Sequence, residues 1–375
     1  MVIVNKTAPK AKRASVSVLD VWYAHLMVRW SMDDRLTVYR KISALLRNRF
    51  SLMDALERMY QISSKDGKSP GDTMAVAVTA WMRSVQNGDP FSVALRGWAP
   101  SSEVLMLSVG DISNLEMALD NTIRVVEGMR KMREAVWGAL AYPMVLLLMV
   151  AFLVWGVAKF LVPPMKDAVP NLVWKGTAKT LVDMSVFVDR HPILLASIFP
   201  ILVAGVILSF PRWKSGLRRF FDKVPPWSIY RIFIGVGWLL SLSALIKAGT
   251  PVSKAMRALR SDATPYLLYR IDRSLFYVNN GDNLGDALYH TGQGFPDDEV
   301  VGDLRIYAEL DNFPEALEHL SNDWLETSLS DIEKKAGILN GVAILLIAGF
   351  VAWTVFGTFD MQNQMVSGMG LGSGS

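Results

Sequence analysis

Three stretches of the chain, 135–158, 191–211 and 336–359, carry no charged residue if His191 is neutral. A helix rises about 1.5 Å per residue, so about 20 apolar residues cover the roughly 30 Å hydrocarbon core of a bilayer. A charge at the centre of such a helix costs on the order of 3 kcal/mol, so uncharged runs of this length predict transmembrane helices. A fourth run, Ile232 to Ile246, is bounded by Arg231 and Lys247 and contains Ser241 and Ser243. It is short for a span and predicts a buried helix of a soluble domain. Between the runs, apolar residues recur at three- and four-residue spacing, as in Ile42, Leu45, Leu46 and then Leu52, Ala55, Leu56, Met59. That period is helical, and no run of alternating β-branched residues competes with it. The pattern predicts an all-α polytopic membrane protein, with two helical-bundle domains and three transmembrane helices.

Flanking charge gives the orientation, because cytoplasmic segments next to spans are enriched in Lys and Arg. Arg124, Arg130, Lys131 and Arg133 precede the first span; Arg212, Lys214, Arg218, Arg219 and Lys223 follow the second; Lys334 and Lys335 precede the third. Lys166, Lys175, Lys179 and Arg190 are spread thinly between the first two spans, and the tail after Phe359 has no basic residue. The expected order is a basic, amphipathic N-terminal segment (1–34), a cytoplasmic helical domain (35–134) and a first span (135–162). A periplasmic loop (163–190) and a second span (191–211) follow. A second cytoplasmic helical domain (212–335), a third span (336–359) and a flexible periplasmic tail (360–375) complete the chain. The N-terminus would then be cytoplasmic and the C-terminus periplasmic. The first apolar run, Val16 to Trp30, is broken by Asp20, His25 and Arg29 and has no small-residue cleavage site after it, so it does not read as a signal peptide. Trp137, Trp155, Trp174, Trp213 and Trp353 are expected as anchors at the membrane interfaces.

The two domains resemble each other at a nearly constant spacing. Residues 45–56 align with 245–256. Asn87-Gly88-Asp89 with Ala94-Leu95 aligns with Asn280-Gly281-Asp282 with Ala287-Leu288, and Asp111 with Ala118-Leu119 aligns with Glu309 with Ala316-Leu317. Glycine followed by proline in Lys247-Ala248-Gly249-Thr250-Pro251 ends one helix and starts the next. The two Asn-Gly-Asp sequences supply a left-handed turn and then a helix cap.

Composition narrows the chemistry. Hydrophobic residues make up 51% and charged residues 20% of the chain, against about 25% charged in soluble domains. Without cysteine, disulfides, thiolate metal sites and cysteine nucleophiles are excluded. No phosphate-binding Gly-x-x-x-x-Gly-Lys-Ser/Thr loop and no Gly-x-Ser-x-Gly elbow occurs, and the four histidines are scattered. Asp297, Asp298 and Glu299 beside Pro296 read as a helix N-terminus, where negative charge suits the dipole. No cofactor, metal, nucleic-acid or enzymatic role is expected. The spans carry no buried charge for an ion relay, which weighs against the alternative of a transporter or channel subunit. Pro143 and Pro200 are expected to kink their helices.

Order, spacing and duplication together resemble the type II secretion F (PilC-like) family of inner-membrane platform proteins that serve type IV pilus assembly. The likeness covers roughly residues 35–360. Its elements are Leu45 to Phe50 and Leu245 to Pro251, including Gly249; Gly88 to Leu95 and Gly281 to Leu288; Gly110-Asp111; Tyr142-Pro143; and Val162-Pro163-Pro164. Arg49 stands where the family usually has glycine, Ala308-Glu309 where Gly-Glu is expected, and Asn114 near another family glycine. These departures point to a divergent branch, such as the type IVb or conjugative thin-pilus systems. The resemblance implies a bacterial inner-membrane protein without its own nucleotide site. Its implied partners are a hexameric cytoplasmic assembly ATPase, pilin or pseudopilin subunits, other inner-membrane assembly proteins, further copies of itself and membrane lipid.

Overall fold

A computed structural model describes residues 18–110, 114–170, 172–214, 216–261 and 263–368. Of the described residues 81% are helical, and no β-strand occurs among them. It begins with α1 (Val18–Trp30), α2 (Met32–Arg47), α3 (Leu52–Ser63), α4 (Thr73–Gln86), α5 (Phe91–Ala94), α6 (Ser101–Gly110) and the long α7 (Leu115–Gly156). A π-helical turn (Val157–Leu161), α8 (Val162–Ala168), α9 (Gly176–Arg190), α10 (Pro192–Arg212) and α11 (Arg218–Phe221) come next. The last series is α12 (Trp227–Lys247), α13 (Val252–Leu259), α14 (Pro265–Asn279), α15 (Leu284–His290), α16 (Asp298–Tyr307) and α17 (Phe313–Gly368). Helices α2 to α7 and α12 to α17 are the same six-helix series twice.

Contacts divide the chain into two units, Met1–Arg133 with Phe233–Glu326, and Glu134–Ile232 with Thr327–Ser375. The first unit holds the bundle helices of both repeats. Its first-repeat core gathers Tyr39, Ile42, Leu56, Trp81, Phe91, Leu95, Leu107 and Leu119, all nearly inaccessible. Both repeats close their first helix with the same hydrogen bonds. Phe50 N donates to Leu45 O (3.1 Å) and Thr250 N to Leu245 O (3.0 Å). This six-to-one bond needs the intervening residue in the left-handed region. Gly249 sits there at φ 87°, and Arg49 takes the same conformation at φ 61°. Gly88 (φ 93°) and Gly281 (φ 103°) close α4 and α14 in the same way. The helix caps fall elsewhere than the Asn-Gly-Asp sequences suggest. Pro90 precedes α5 without a side-chain bond, and Asn283, rather than Asp282, caps α15. Asp282 instead takes the ring of His290 (2.7 Å).

The 232–246 run lies in α12 and is packed by protein. Ile232, Val236, Leu239, Leu242 and Leu245 are buried. A methyl group on Gly237 would lie 2.7 Å from Met129 Sδ, so α12 and α7 approach at this glycine. Among the described residues, three helical stretches are long and apolar enough to cross a membrane: Leu115–Ala168, Trp227–Lys247 and Phe313–Ser367. Protein buries only 17% and 11% of the most apolar stretch of the first and third, but 72% of the second. The 191–211 run forms α10, where Ile193, Ile201, Leu202, Ile207 and Leu208 are exposed.

In the second unit the segment read as a periplasmic loop, 163–190, is largely helical. Helix α9 turns Ala178, Leu181, Val182, Ser185 and Val188 inward, spaced for one helical face. Its apolar face packs with Val162, Trp174 and Met361. Trp174 is therefore a core residue of this cluster and not an interfacial anchor, whereas Trp137 is 68% exposed. The tail read as flexible from 360 continues α17 to Gly368. The polar residues there have structural work: Asp360 accepts from Thr177 Oγ1 (2.8 Å) and Ala178 N (2.9 Å), capping α9. Gln364 bonds Lys175 through both its amide atoms.

Candidate functional site

Among the described residues, the sequence-predicted positions fall in separate places and form no common pocket. Gly88, Gly249 and Gly281 are left-handed helix ends, and Pro251 is the N-cap of α13. Gly110 is the last residue of α6, packed so closely on Ala118 that an added methyl would overlap it at 2.2 Å. Asp111 lies outside the described residues. Its repeat counterpart, Glu309, is exposed just after α16. Tyr142 and Pro143 lie inside α7, with Tyr142 half exposed. Asp297 caps α16 by accepting from Glu299 N (3.2 Å).

Pro163 has a local role that its neighbours define. The turn before it is π-helical, with Val162 N donating five residues back to Val157 O. Pro163 has no N–H to give the next carbonyl in that ladder, Ala158. Ser185 Oγ on α9 donates to Ala158 O instead (2.7 Å), a buried bond. The Val-Pro-Pro motif thus opens a carbonyl that α9 satisfies, and Lys159 pairs with Asp189 beside it.

In the first unit a buried ion pair fixes the end of α1 against α6. Arg35 on α2 pairs in bidentate fashion with Glu103 on α6, both contacts 2.9 Å. The Tyr39 hydroxyl donates to the same carboxylate (2.8 Å). Burial first, and then the Glu103 charge, push the Tyr39 phenol well above its ordinary pKa, so it stays a donor. The other arm of Arg35 donates to the Val28, Arg29 and Ser31 carbonyls at the C-terminal end of α1. A side chain buried in this way is held in one rotamer by all of its partners.

That clamp borders a groove of about 430 Å³ where the first repeat meets the second. Arg29 and Arg96 lie on the first-repeat side with Ser101 and Ser108 of α6, and Arg257 and Ser261 face them from the second repeat. The arginines are exposed, and no acidic residue is among those lining the groove. Such a surface recognises carboxylates or phosphates through guanidinium groups. Arg29 stands out in the sequence only as a break in the first apolar run, and Arg96 and Arg257 not at all, because the three come from distant segments that only the fold brings together.

The repeats are also tied by charge. Arg47 pairs with Asp120 (2.8 Å) in the first repeat, and Lys247 pairs with Glu318 at the equivalent positions of the second. Arg124 of α7 adds a cross-repeat bond to Glu318 (2.9 Å). Burial opposes ionisation of Glu318, but the Lys247 bond and charge and then Arg124 outweigh it, holding the carboxyl below its usual pKa.

Comparison with known proteins agrees with the duplication. The family model for type II secretion system, protein F matches twice, at residues 38–163 and 238–359. Toxin coregulated pilus biosynthesis protein E of Vibrio cholerae serotype O1 is 20% identical over 342 residues, covering 89% of this chain and 98% of that protein.

Proposed function

The chain belongs to the type II secretion system protein F family, and on that footing we propose that it couples a cytoplasmic assembly ATPase to pilin polymerisation. It is an inner-membrane component of the pilus and secretion class of machines. Its role in our reading is structural: the ATPase supplies the work, and this chain transmits it to pilin or pseudopilin subunits in the bilayer. Resemblance to a pilus biosynthesis protein over nearly its whole length favours a pilus system. Helices α7, α10 and α17 are the three spans in this reading, with the N-terminus cytoplasmic and the C-terminus periplasmic. Assignment of α10 rather than α12 rests on burial, because an apolar helix already covered by protein needs no lipid.

The observation that carries the docking proposal is the groove with Arg29, Arg96 and Arg257 at the repeat junction. An acidic segment of the motor would bridge both repeats there, so its movement would act on both bundle halves together. Photo-crosslinking in cells, from Ser101 and Ser108 in the groove and from Val145 in the first span, tests this. The expected partners are an assembly ATPase from the groove and a pilin from the span. A transport ATPase or lipid enzymes in their place would overturn the platform role.

A further inference from the structure

The segment after α10 combines an exposed apolar wedge with unopposed positive charge. Leu217, Phe220 and Val224 are 72%, 67% and 40% exposed, and Arg212, Lys214, Arg219 and Lys223 are exposed among them. The acid in this stretch, Asp222, is buried and accepts from Arg218 Nε at 2.8 Å. It is therefore spent internally, and the outward face carries cations only.

The segment is held in shape from within. Arg218 is wholly buried, with its guanidinium 5.9 Å from the Trp213 ring and 5.8 Å from the Tyr230 ring. Phe210 at the end of α10 stacks on Tyr230, and Phe221 meets Trp227 edge-on at 4.8 Å. The Trp227 indole donates to Ser209 Oγ (3.0 Å), joining the start of α12 to the end of α10. Aromatic rings with a polar edge suit the headgroup layer, where one side is apolar and the other wet. A buried ion pair inside them sets the wedge and the cations on the outside.

We propose that this segment is an interfacial anchor that inserts Leu217 and Phe220 among lipid chains and binds anionic phospholipid headgroups through Arg212, Lys214, Arg219 and Lys223. The occupant follows from position and charge. The segment continues directly from α10, whose apolar side chains are exposed, and clusters of Lys and Arg at the end of a span are attracted to anionic lipid. The inference rests on α10 being a span.

The chain has no cysteine, so single-cysteine variants can be labelled directly. L217C, F220C and I201C would each carry an environment-sensitive fluorophore, in full chain placed in nanodiscs of phosphatidylcholine alone or with phosphatidylglycerol. Spin-labelled lipids serve as quenchers. The expected result is quenching at 217 and 220 by shallow quenchers and at 201 by deep ones. Native mass spectrometry should also find about tenfold less retained phosphatidylglycerol in the R212Q/K214Q/R219Q/K223Q variant than in the unaltered chain. Quenching at 201 without quenching at 217 and 220 would overturn the anchor and leave the span. An unquenched 201 would overturn both. Equal lipid retention by the quadruple variant would overturn headgroup recognition. Shielding of 217 and 220 only after a cytoplasmic protein is added would make the surface a protein dock and overturn the proposal.

Discussion

Arg49 and Gly249 occupy one position of the repeat with one backbone conformation and different side chains. A left-handed residue with a Cβ costs about 1–2 kcal/mol, partly offset because glycine loses more freedom on folding. Nothing approaches the site of a Cβ at Gly249, so only backbone conformation is at stake there. R49G should therefore stabilise the folded chain by about 0.5–1 kcal/mol and G249A destabilise it by about 1 kcal/mol, opposite signs at equivalent sites. Thermal unfolding of the detergent-solubilised chain measures both; equal signs would mean the two turns are not equivalent. Glu318 gives a prediction with a pH sign. Its folded pKa is depressed, so the stability it adds is present above the unfolded carboxyl pKa and lost as pH falls through the lower folded value. The deficit of E318Q against the unaltered chain should be about 1 kcal/mol at neutral pH and shrink below about pH 4. A deficit unchanged at acidic pH would show that the pair with Lys247 contributes nothing through charge.

Most helices were legible because their signals are local. Uncharged runs mark the apolar parts of α7, α10 and α17, and glycines at fixed repeat offsets mark the ends of α4, α12 and α14. Helix α9 carried an equally local signal in Ala178, Leu181, Val182, Ser185 and Val188, but its Lys and Asp residues direct attention to loop and topology. What the sequence could not show is which elements meet. Asp360 caps a helix whose first turn lies 182 residues earlier, and a polar residue beyond an apolar run looks like a solvated tail. The groove was invisible for the same reason, since no spacing relates Arg29, Arg96 and Arg257. The α9 docking can be tested through its buried bond to the π-helical turn. S185A should leave the Ala158 carbonyl without its donor and cost about 1–3 kcal/mol. Hydrogen exchange should then quicken in α9 more than in α4, whereas uniform exchange would place the bond outside the local stability of α9.

At the scale of the whole molecule, a duplicated series of six helices gathers both bundle halves into one contact unit, while the proposed topology puts the spans at the ends of α7 and α17 and in α10. Helix α12 also has the length and hydropathy of a span, and it matches α10 at 21 residues. The two choices predict opposite sides of the membrane for residues 213–226. With α10 as the span, Lys223 faces the cytoplasm together with the second bundle; with α12 as the span, it faces outward. With the proposed cytoplasmic N-terminus, Val173 is on the outer side under either choice, and it is 77% exposed. The cysteine-free chain again makes the measurement direct. V173C should react with a membrane-impermeant maleimide in intact spheroplasts, and K223C only after lysis. I306C, in the second bundle and 64% exposed, should also require lysis. Reaction of K223C in intact cells would move the membrane boundary into α12. Burial of that helix by Met129, Trp324 and Pro296 would then have to be given up for lipid contact. An apolar helix gains nothing from such an exchange, because its side chains are already out of water.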